Sequence, residues 1–400
     1  MIQVSDSIEG SGHPLGFCFR REGSRAGPLA GATGETILRV DARAMGAHQK
    51  EALVFEGSPG PAWRLVSDEG PYLKGSDMAP FPLGFFNSGL QADLLGRVAR
   101  LIALRSLPVS AVSLELDNTF SFSGSFFKGD GKGTAEAAQV RMALEGTATE
   151  HDVRTLVRDA ISASPALAAM STPLDSTFAL YVNGIRREVT QALPSAAPDA
   201  PDPLKTYRAP PAPLADGRDL PAITSKIPQP EVETQVMPSS GSKFELRVLG
   251  HSRLTDVSSG LTQVQTRLKA PPGSHFGFET DEMSISSPAA PSGLALLSAG
   301  VSFCYMTQLL RYSEYLKYKV RAIRIVQYNP FTLQAGPGRS EVGGVGPVDT
   351  HLFLHGDEPD EVMQRLLVMG AQTCYLHAAL KAALPPRVEV RYNGAPLDVA

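Results

Sequence analysis

Apolar residues in the second half of the chain recur at strand-like and then at helix-like spacing. Lys243–Arg253 and Leu261–Lys269 predict two strands of a meander, joined by a polar turn that ends in Gly260. The stretch from Ser292 to about Tyr318 predicts a long helix, because its apolar positions repeat at intervals of three and four residues. One face of this helix carries Leu297, Val301 and Cys304.

The pattern then returns to strands and ends with a second helix. Val320–Tyr328 and Val348–His355 predict strands on either side of a glycine-rich loop, Gly336–Gly346. Asp357 is expected to cap the following helix, with Pro359 in its first turn. One stripe of that helix carries Leu367, Gly370, Cys374 and Ala378. A final strand is predicted at Arg387–Tyr392.

The first half of the chain repeats this order, with predicted helices near Pro80–Ser106 and Glu150–Ala163. Short matches recur at an offset of 210 or 211 residues: Gly89 with Gly300, Gly146 with Gly356, and Asn183-Gly184 with Asn393-Gly394. An ordered set of matches at one offset indicates an internal duplication. We therefore expect one domain at residues 1–190 and a second at 241–400.

Residues 191–240 form a linker rich in proline and alanine, as in the run 197–203. Such a composition favours an extended chain that builds no core of its own. An ordered strap over the surface and a free tether are both compatible with it.

Composition is that of a globular protein, with 42% hydrophobic and 20% charged residues. The net charge of −4 arises from mixed signs, which argues against a nucleic-acid partner. The N-terminal residues do not resemble a signal peptide, and we see no apolar run of membrane-spanning length. Three cysteines in 400 residues do not make a disulfide scaffold, so a cytoplasmic location is expected.

Two of the three cysteines differ from their counterparts in the repeat. Cys304 corresponds to Asp93, and Cys374 corresponds to Ser164. A duplicated domain that carries a cysteine pair in only one copy suggests one active half and one supporting half. Cys18 has no counterpart and is interpreted as structural.

Three segments resemble the OsmC/Ohr family of thiol peroxidases. Residues 291–304 are similar to the family's proline-led first helix with its reactive cysteine, and residues 371–376 to the segment of its second cysteine. Residues 250–260 resemble the turn whose arginine serves the reactive thiol, which assigns that role to Arg253. The family's glutamate near the start of the first helix is replaced by Leu294, which puts the substrate range in question.

The resemblance implies an α+β fold made of two tandem OsmC-like domains, each with an antiparallel sheet and two central helices. Because family members are dimers with sites between subunits, it further implies an intrachain pseudo-dimer that is able to pair again. The implied activity is the reduction of organic hydroperoxides with a dithiol reductant. Cys304 would attack and become a sulfenic acid, and Cys374 would resolve it as a Cys304–Cys374 disulfide.

The residue types fit this chemistry. An unperturbed cysteine has a pKa of about 8.5, so a reactive thiol needs neighbours that favour the thiolate. A sulfenic acid condenses with a second thiol whose Cα lies within about 7 Å. No cofactor or metal is expected, since Cys304, Cys374 and His377 lack a fourth ligand for zinc. A ligand-binding module and a redox sensor without turnover remain as alternatives.

Overall fold

The computed structural model describes residues 6–214, 222–229, 240–257, 259–336 and 340–399. Its helices are α1 Ile8–Ser11, α2 Pro82–Arg105, α3 Glu150–Ser162, α4 Pro165–Ser171, α5 Leu204–Arg208, α6 Gly293–Leu316, α7 Asp360–Thr373 and α8 Tyr375–Ala382. The strands of the first half are β1 Gly16–Arg20, β2 Gly34–Ala44, β3 Lys50–Phe55, β4 Ala62–Ser67, β5 Val109–Ser125, β6 Lys132–Ala135, β7 Gln139–Gly146, β8 Thr177–Val182 and β9 Ile185–Arg187. The later strands are β10 Thr224–Lys226, β11 Ser240–Leu254, β12 Leu261–Ala270, β13 Gly273–Asp281, β14 Val320–Ala335, β15 Glu341–Val345, β16 Asp349–Gly356, β17 Arg387–Tyr392 and β18 Ala395–Leu397.

The strands of the described residues form two nine-stranded sheets of matching order. The first sheet runs β1-β4-β3-β2-β14-β16-β8-β9, with β15 beside β14. The second runs β10-β13-β12-β11-β5-β7-β17-β18, with β6 beside β5. The two orders correspond strand by strand when the halves of the chain are exchanged. This exchange is what an intrachain pseudo-dimer requires, while the duplication itself remains an interpretation of the sequence.

Each sheet draws strands from both halves, which differs from the predicted sheet for each domain. β2 of the first half pairs with β14 of the second, and β5 pairs with β11. The sheets are also not purely antiparallel, because β16 pairs with β8 and β17 with β7 in parallel. The fold is therefore mixed α+β with interleaved halves, and the domain limits at residues 190 and 241 stay predictions.

The long helices α2 and α6 lie between the sheets and contact one another closely. Helix α2 packs on β11 and β12, whereas α6 packs on β2, β3 and β14. A Cβ atom added to Gly89 would come within 2.6 Å of the Gly293 carbonyl oxygen, and one added to Gly300 within 2.7 Å of the Phe86 nitrogen. Glycine at these two positions thus allows the helix backbones to touch.

Helix α6 is long and apolar enough, by length and composition alone, to cross a membrane. It was not identified from the sequence as an apolar run of that length. Its apolar window is 100% buried inside the structure. A core helix of a soluble protein has this placement, since its hydrophobic surface is covered by other elements.

Several predicted elements are confirmed, and others are corrected. The helix predicted from Ser292 is α6, which begins at Gly293 with Ser292 as its N-cap. Strand β13 was not predicted, and β15 occupies part of the stretch expected to be a glycine-rich loop. The second helix begins after Pro359 rather than Asp357, and it is interrupted at Cys374.

The described part of the linker packs against the sheets. Tyr207 is buried and donates a hydrogen bond of 2.5 Å to the Asp41 carbonyl oxygen. Asp202 accepts two hydrogen bonds from Arg324, at 2.6 and 2.8 Å. Strand β10 extends the second sheet at its edge. These contacts favour the ordered strap over the free tether for this part of the chain.

Candidate thiol site

Cys304 and Cys374 meet in the interior, where α6 passes the junction of α7 and α8. Their Sγ atoms are 3.3 Å apart. The side chains are almost inaccessible, with residue exposures of 2% and 0%. Both are free thiols, as is the buried Cys18. The structure thus brings together the two cysteines singled out in the sequence.

Cys374 is the residue that ends α7 and caps the N-terminus of α8. Its backbone is extended, with φ −71° and ψ 118°, so one continuous helix is impossible here. Strand β6 of the first half lies against this break. A Cβ atom on Gly133 would approach the Thr373 carbonyl oxygen to 2.6 Å, so glycine is required for the contact.

The surroundings of the two thiols act on their pKa values in opposite directions. Burial raises the pKa of Cys304 well above its usual value, and the Cys374 contact and the charge of Glu69 raise it further. Burial also opposes ionisation of Cys374. However, the hydrogen bond with Cys304, the nearby His377 imidazole and the His377 backbone N–H hold its pKa well below the usual value. A helix N-terminus favours a thiolate in the same way.

Glu69, a residue of the first half, places a buried carboxylate on the side of the thiol pair where Cys304 lies. Glu69 accepts hydrogen bonds from the Thr307 and Tyr72 hydroxyls, both at 2.5 Å. It also pairs with the buried Lys50 at 3.1 Å. Glu69, Tyr72 and Thr307 line a cavity of only about 10 Å³ that also touches Cys304. The site is therefore composed of both halves of the chain.

The structure does not bring Arg253 to the thiols, so its predicted role has no support from the position of the side chain. Its side chain is exposed and donates to the Gln263 Oε1 atom at 3.0 Å. Alternate residues of β11 point to opposite faces, and Arg253 falls on the outer face while its neighbours Ser252 and Leu254 are buried. The buried guanidinium on α6 is that of Arg311, which donates to Gln308 at 2.9 Å.

The corresponding place in the first half is a site without thiols, here called the Asp93 site and defined by Asp93, Ser164, Arg97 and Glu282. The Ser164 hydroxyl donates to the Asp93 carboxylate at 2.5 Å. Ser164 also caps α4, as Cys374 does α8. Arg97 pairs with Asp93 at 3.0 Å. The geometry of the cysteine pair is thus repeated with an acid and an alcohol.

Sequence reasoning missed Glu69 and gave His377 a minor part. A signal for Glu69 was present, since Asp68-Glu69 recurs as Asp281-Glu282, each pair at the end of a strand that precedes a long helix. Leu294, which replaces the family's glutamate, is a buried apolar residue of the first turn of α6. Among the described residues, no three side chains of His, Cys, Asp or Glu form a group suited to a metal ion.

Comparison with known proteins gives little further identification. No protein-family model matches the chain, and no curated protein matches it. One similar solved structure is that of an OsmC-like hydroperoxide resistance protein from Jannaschia sp. CCS1, which is 24% identical with a TM-score of 0.26. The alignment covers 34% of this chain and 89% of that protein, so it spans about one third of the present molecule.

Proposed function

We propose that this chain is a cysteine-dependent peroxidase that reduces organic hydroperoxides through a Cys304–Cys374 disulfide. The supporting observation is the 3.3 Å contact between the two Sγ atoms at the junction of the halves. A disulfide has an S–S distance of about 2.05 Å, so closing the bond requires a movement of roughly 1 Å. The OsmC/Ohr resemblance of the sequence implies the same activity.

The environment of the thiols favours Cys374 as the attacking group, which reverses the order implied by the resemblance. Only a thiolate attacks a peroxide, and the hydrogen bond with Cys304 and the contacts with His377 lower the pKa of Cys374. Cys304 stands beside the Glu69 carboxylate, which disfavours a second negative charge. Cys304 therefore stays protonated and donates its S–H to the Cys374 sulfur.

The reaction then balances without a cofactor. The Cys374 thiolate attacks the outer peroxide oxygen, an S–O bond forms and the O–O bond breaks. The leaving alkoxide takes the proton of Cys304, which gives the alcohol, a sulfenic acid on Cys374 and a thiolate on Cys304. That thiolate attacks the Cys374 sulfur and forms the disulfide, while hydroxide leaves and is protonated to water. A dithiol reductant restores the two thiols.

Peroxide turnover tests the activity. The full chain should reduce cumene hydroperoxide in the presence of dithiothreitol, with saturation in the peroxide. Absence of turnover above the rate without protein would disprove the peroxidase assignment. Cys18→Ser serves as the matched control and should keep full activity, since the Cys18 thiol lies on β1 and donates to the Arg20 carbonyl oxygen.

The order of the thiols is tested by trapping sulfenic acid with dimedone and locating it by mass spectrometry. Cys304→Ser should accumulate the dimedone adduct on Cys374, because the attacking thiol is kept and its resolving partner is lost. Cys374→Ser should lose turnover and give no adduct. An adduct on Cys304 in Cys374→Ser, formed as fast as wild-type disulfide, would establish the opposite order.

A redox sensor is the second candidate, and the burial of the thiols favours it. Both residues are nearly inaccessible, and the cavity beside Cys304 has room for about one water molecule. A sensor would form the disulfide once with peroxide and would be reduced too slowly for turnover. Disulfide formation on peroxide treatment combined with absent turnover would therefore select this function.

A further inference from the structure

A second, much larger cavity lies on the other side of the α7–α8 junction. Its volume is about 710 Å³, within the range of roughly 300–1,000 Å³ typical of small-molecule sites. It is bounded by β6, the segments around residues 174–178 and 191–193, and the C-terminal parts of α7 and α8. Its apolar wall includes Leu174, Phe178, Leu193, Val368 and Leu384.

His377 forms part of the wall of this cavity and has unmet hydrogen-bonding capacity. Its residue exposure is 7%, and apart from its contact with the Cys374 thiol neither ring nitrogen has a hydrogen-bond partner among the described residues. The ring is held by aromatic contacts to Tyr305 and Phe178, with centroids 5.1 and 5.7 Å away. A buried polar group without a partner is costly, so an occupant that supplies one is expected to bind favourably.

The first half shows that the fold does not need an imidazole here. The residue that corresponds to His377 in the repeat is Leu167, three residues after Ser164 as His377 is three after Cys374. Leu167 is 5% exposed and belongs to the apolar core. A leucine thus satisfies the same helical position, so packing alone does not require a histidine there.

Charge around the cavity favours an anion. Lys381 lies one helical turn after His377, and Lys132 lies across from it on β6. The acidic side chain of the wall is Asp175, which pairs with Lys381 at 2.9 Å. Two lysines against one aspartate leave a positive charge beside the imidazole.

We propose that this cavity binds a monocarboxylic acid with an apolar body. The carboxylate lies toward His377 and Lys381, where an imidazole N–H donates to it, and the apolar body covers the wall formed by Phe178, Val368 and Leu384. This cavity lies outside the contact between the thiols but shares His377 with it, and its occupancy does not depend on the peroxidase proposal.

Calorimetric titration with decanoic acid tests the site, with the full chain carrying Cys304→Ser and Cys374→Ser so that thiol chemistry plays no part. One molecule of acid should bind per chain. His377→Leu should weaken binding by at least about tenfold, the effect of losing one charge-assisted hydrogen bond. His377→Gln keeps an N–H donor and should bind within a few-fold of the parent.

Two further variants guard against misfolding and surface adsorption. Ala371→Trp fills the cavity from α7 and should abolish binding, whereas His151→Leu changes an exposed histidine on α3 and should leave binding unchanged. The proposal is overturned if decanoic acid shows no saturable binding, or if both His377→Leu and Ala371→Trp bind like the parent. Equal affinity for decan-1-ol would overturn the carboxylate assignment.

Discussion

Two carboxyl groups share the Asp93 site, and the pKa of one of them, Glu282, is raised. Burial raises the pKa of Glu282 to about 7; the Asp93 carboxylate acts in the same direction, while Arg25 and Arg97 oppose it. Glu282 accepts a hydrogen bond of 2.6 Å from the Gly293 N–H at the start of α6. Protonation of one residue is therefore coupled to the packing of a central helix.

We predict that Glu282→Gln changes the pH dependence of stability. The pKa of about 7 in the folded protein exceeds the ordinary value of 4.5. The protonated carboxyl therefore contributes its full stabilisation of the folded state below pH 4.5, and this contribution is lost as the pH rises through 7. Glutamine keeps the acceptor for Gly293 but does not titrate. Above pH 7, the free energy of unfolding of the variant, measured with urea, should exceed that of the wild type by up to about 3 kcal/mol.

An exposed site supplies the control for this comparison. Glu145→Gln on β7, where the side chain is exposed, should follow the wild-type stability curve across the same pH range. Parallel curves for wild type and Glu282→Gln would show that Glu282 is ionised in the folded protein.

At the scale of elements, the contact between α2 and α6 depends on glycine. The Phe86 nitrogen and the Pro82 carbonyl oxygen would lie 2.7 and 3.1 Å from a Cβ atom on Gly300. These are backbone atoms of a helix, which cannot move aside as a flexible side chain can. The separation of the two helices is consequently fixed by the absence of a side chain.

Gly300→Ala should destabilise the fold by up to about 2 kcal/mol in chemical unfolding. Overpacking costs about 1–3 kcal/mol and here exceeds the gain of about 1 kcal/mol that alanine has over glycine in a helix. Gly46→Ala is the control, since its Cβ atom would meet only the Asp6 carbonyl oxygen at 3.6 Å. Equal stability of both variants would mean that the helices separate without cost.

The sequence predicts single elements better than it predicts their partners. The sequence pattern was sufficient to predict α6, because the apolar periodicity of a long buried helix and its N-cap, Ser292, both lie within one short stretch of sequence. The break at Cys374 was missed because the stripe of small and apolar residues continues through it. Glu69 and β6 reach the thiols only through pairing between halves, and such contacts between distant residues leave no local pattern.

At the scale of the whole molecule, neither half has a complete sheet. The strands β2 and β5 of the first half each lie between strands of both halves, next to β14 and β11 respectively. Separation of the halves would expose both these strand edges and the facing surfaces of α2 and α6. Unpaired edges and apolar helix faces promote association.

We therefore predict that residues 240–400 expressed alone will aggregate or form a homodimer. Co-expressed fragments 1–229 and 240–400 should instead elute together in size-exclusion chromatography, with the mobility of the intact chain. The fragment 1–229 alone is the control, and it should also aggregate or self-associate. A soluble, cooperatively folded monomer of residues 240–400 would contradict the interleaving of the sheets.

Because both halves belong to one chain, equivalent positions in the two halves can be substituted independently. In a dimer of identical subunits, every substitution occurs at both symmetric positions at once. Here Asp93 and Cys304, or Leu167 and His377, occupy equivalent places yet vary independently. Under the proposed function, chemistry constrains only the Cys304 site, whereas the Asp93 site can carry salt bridges that stabilise the fold.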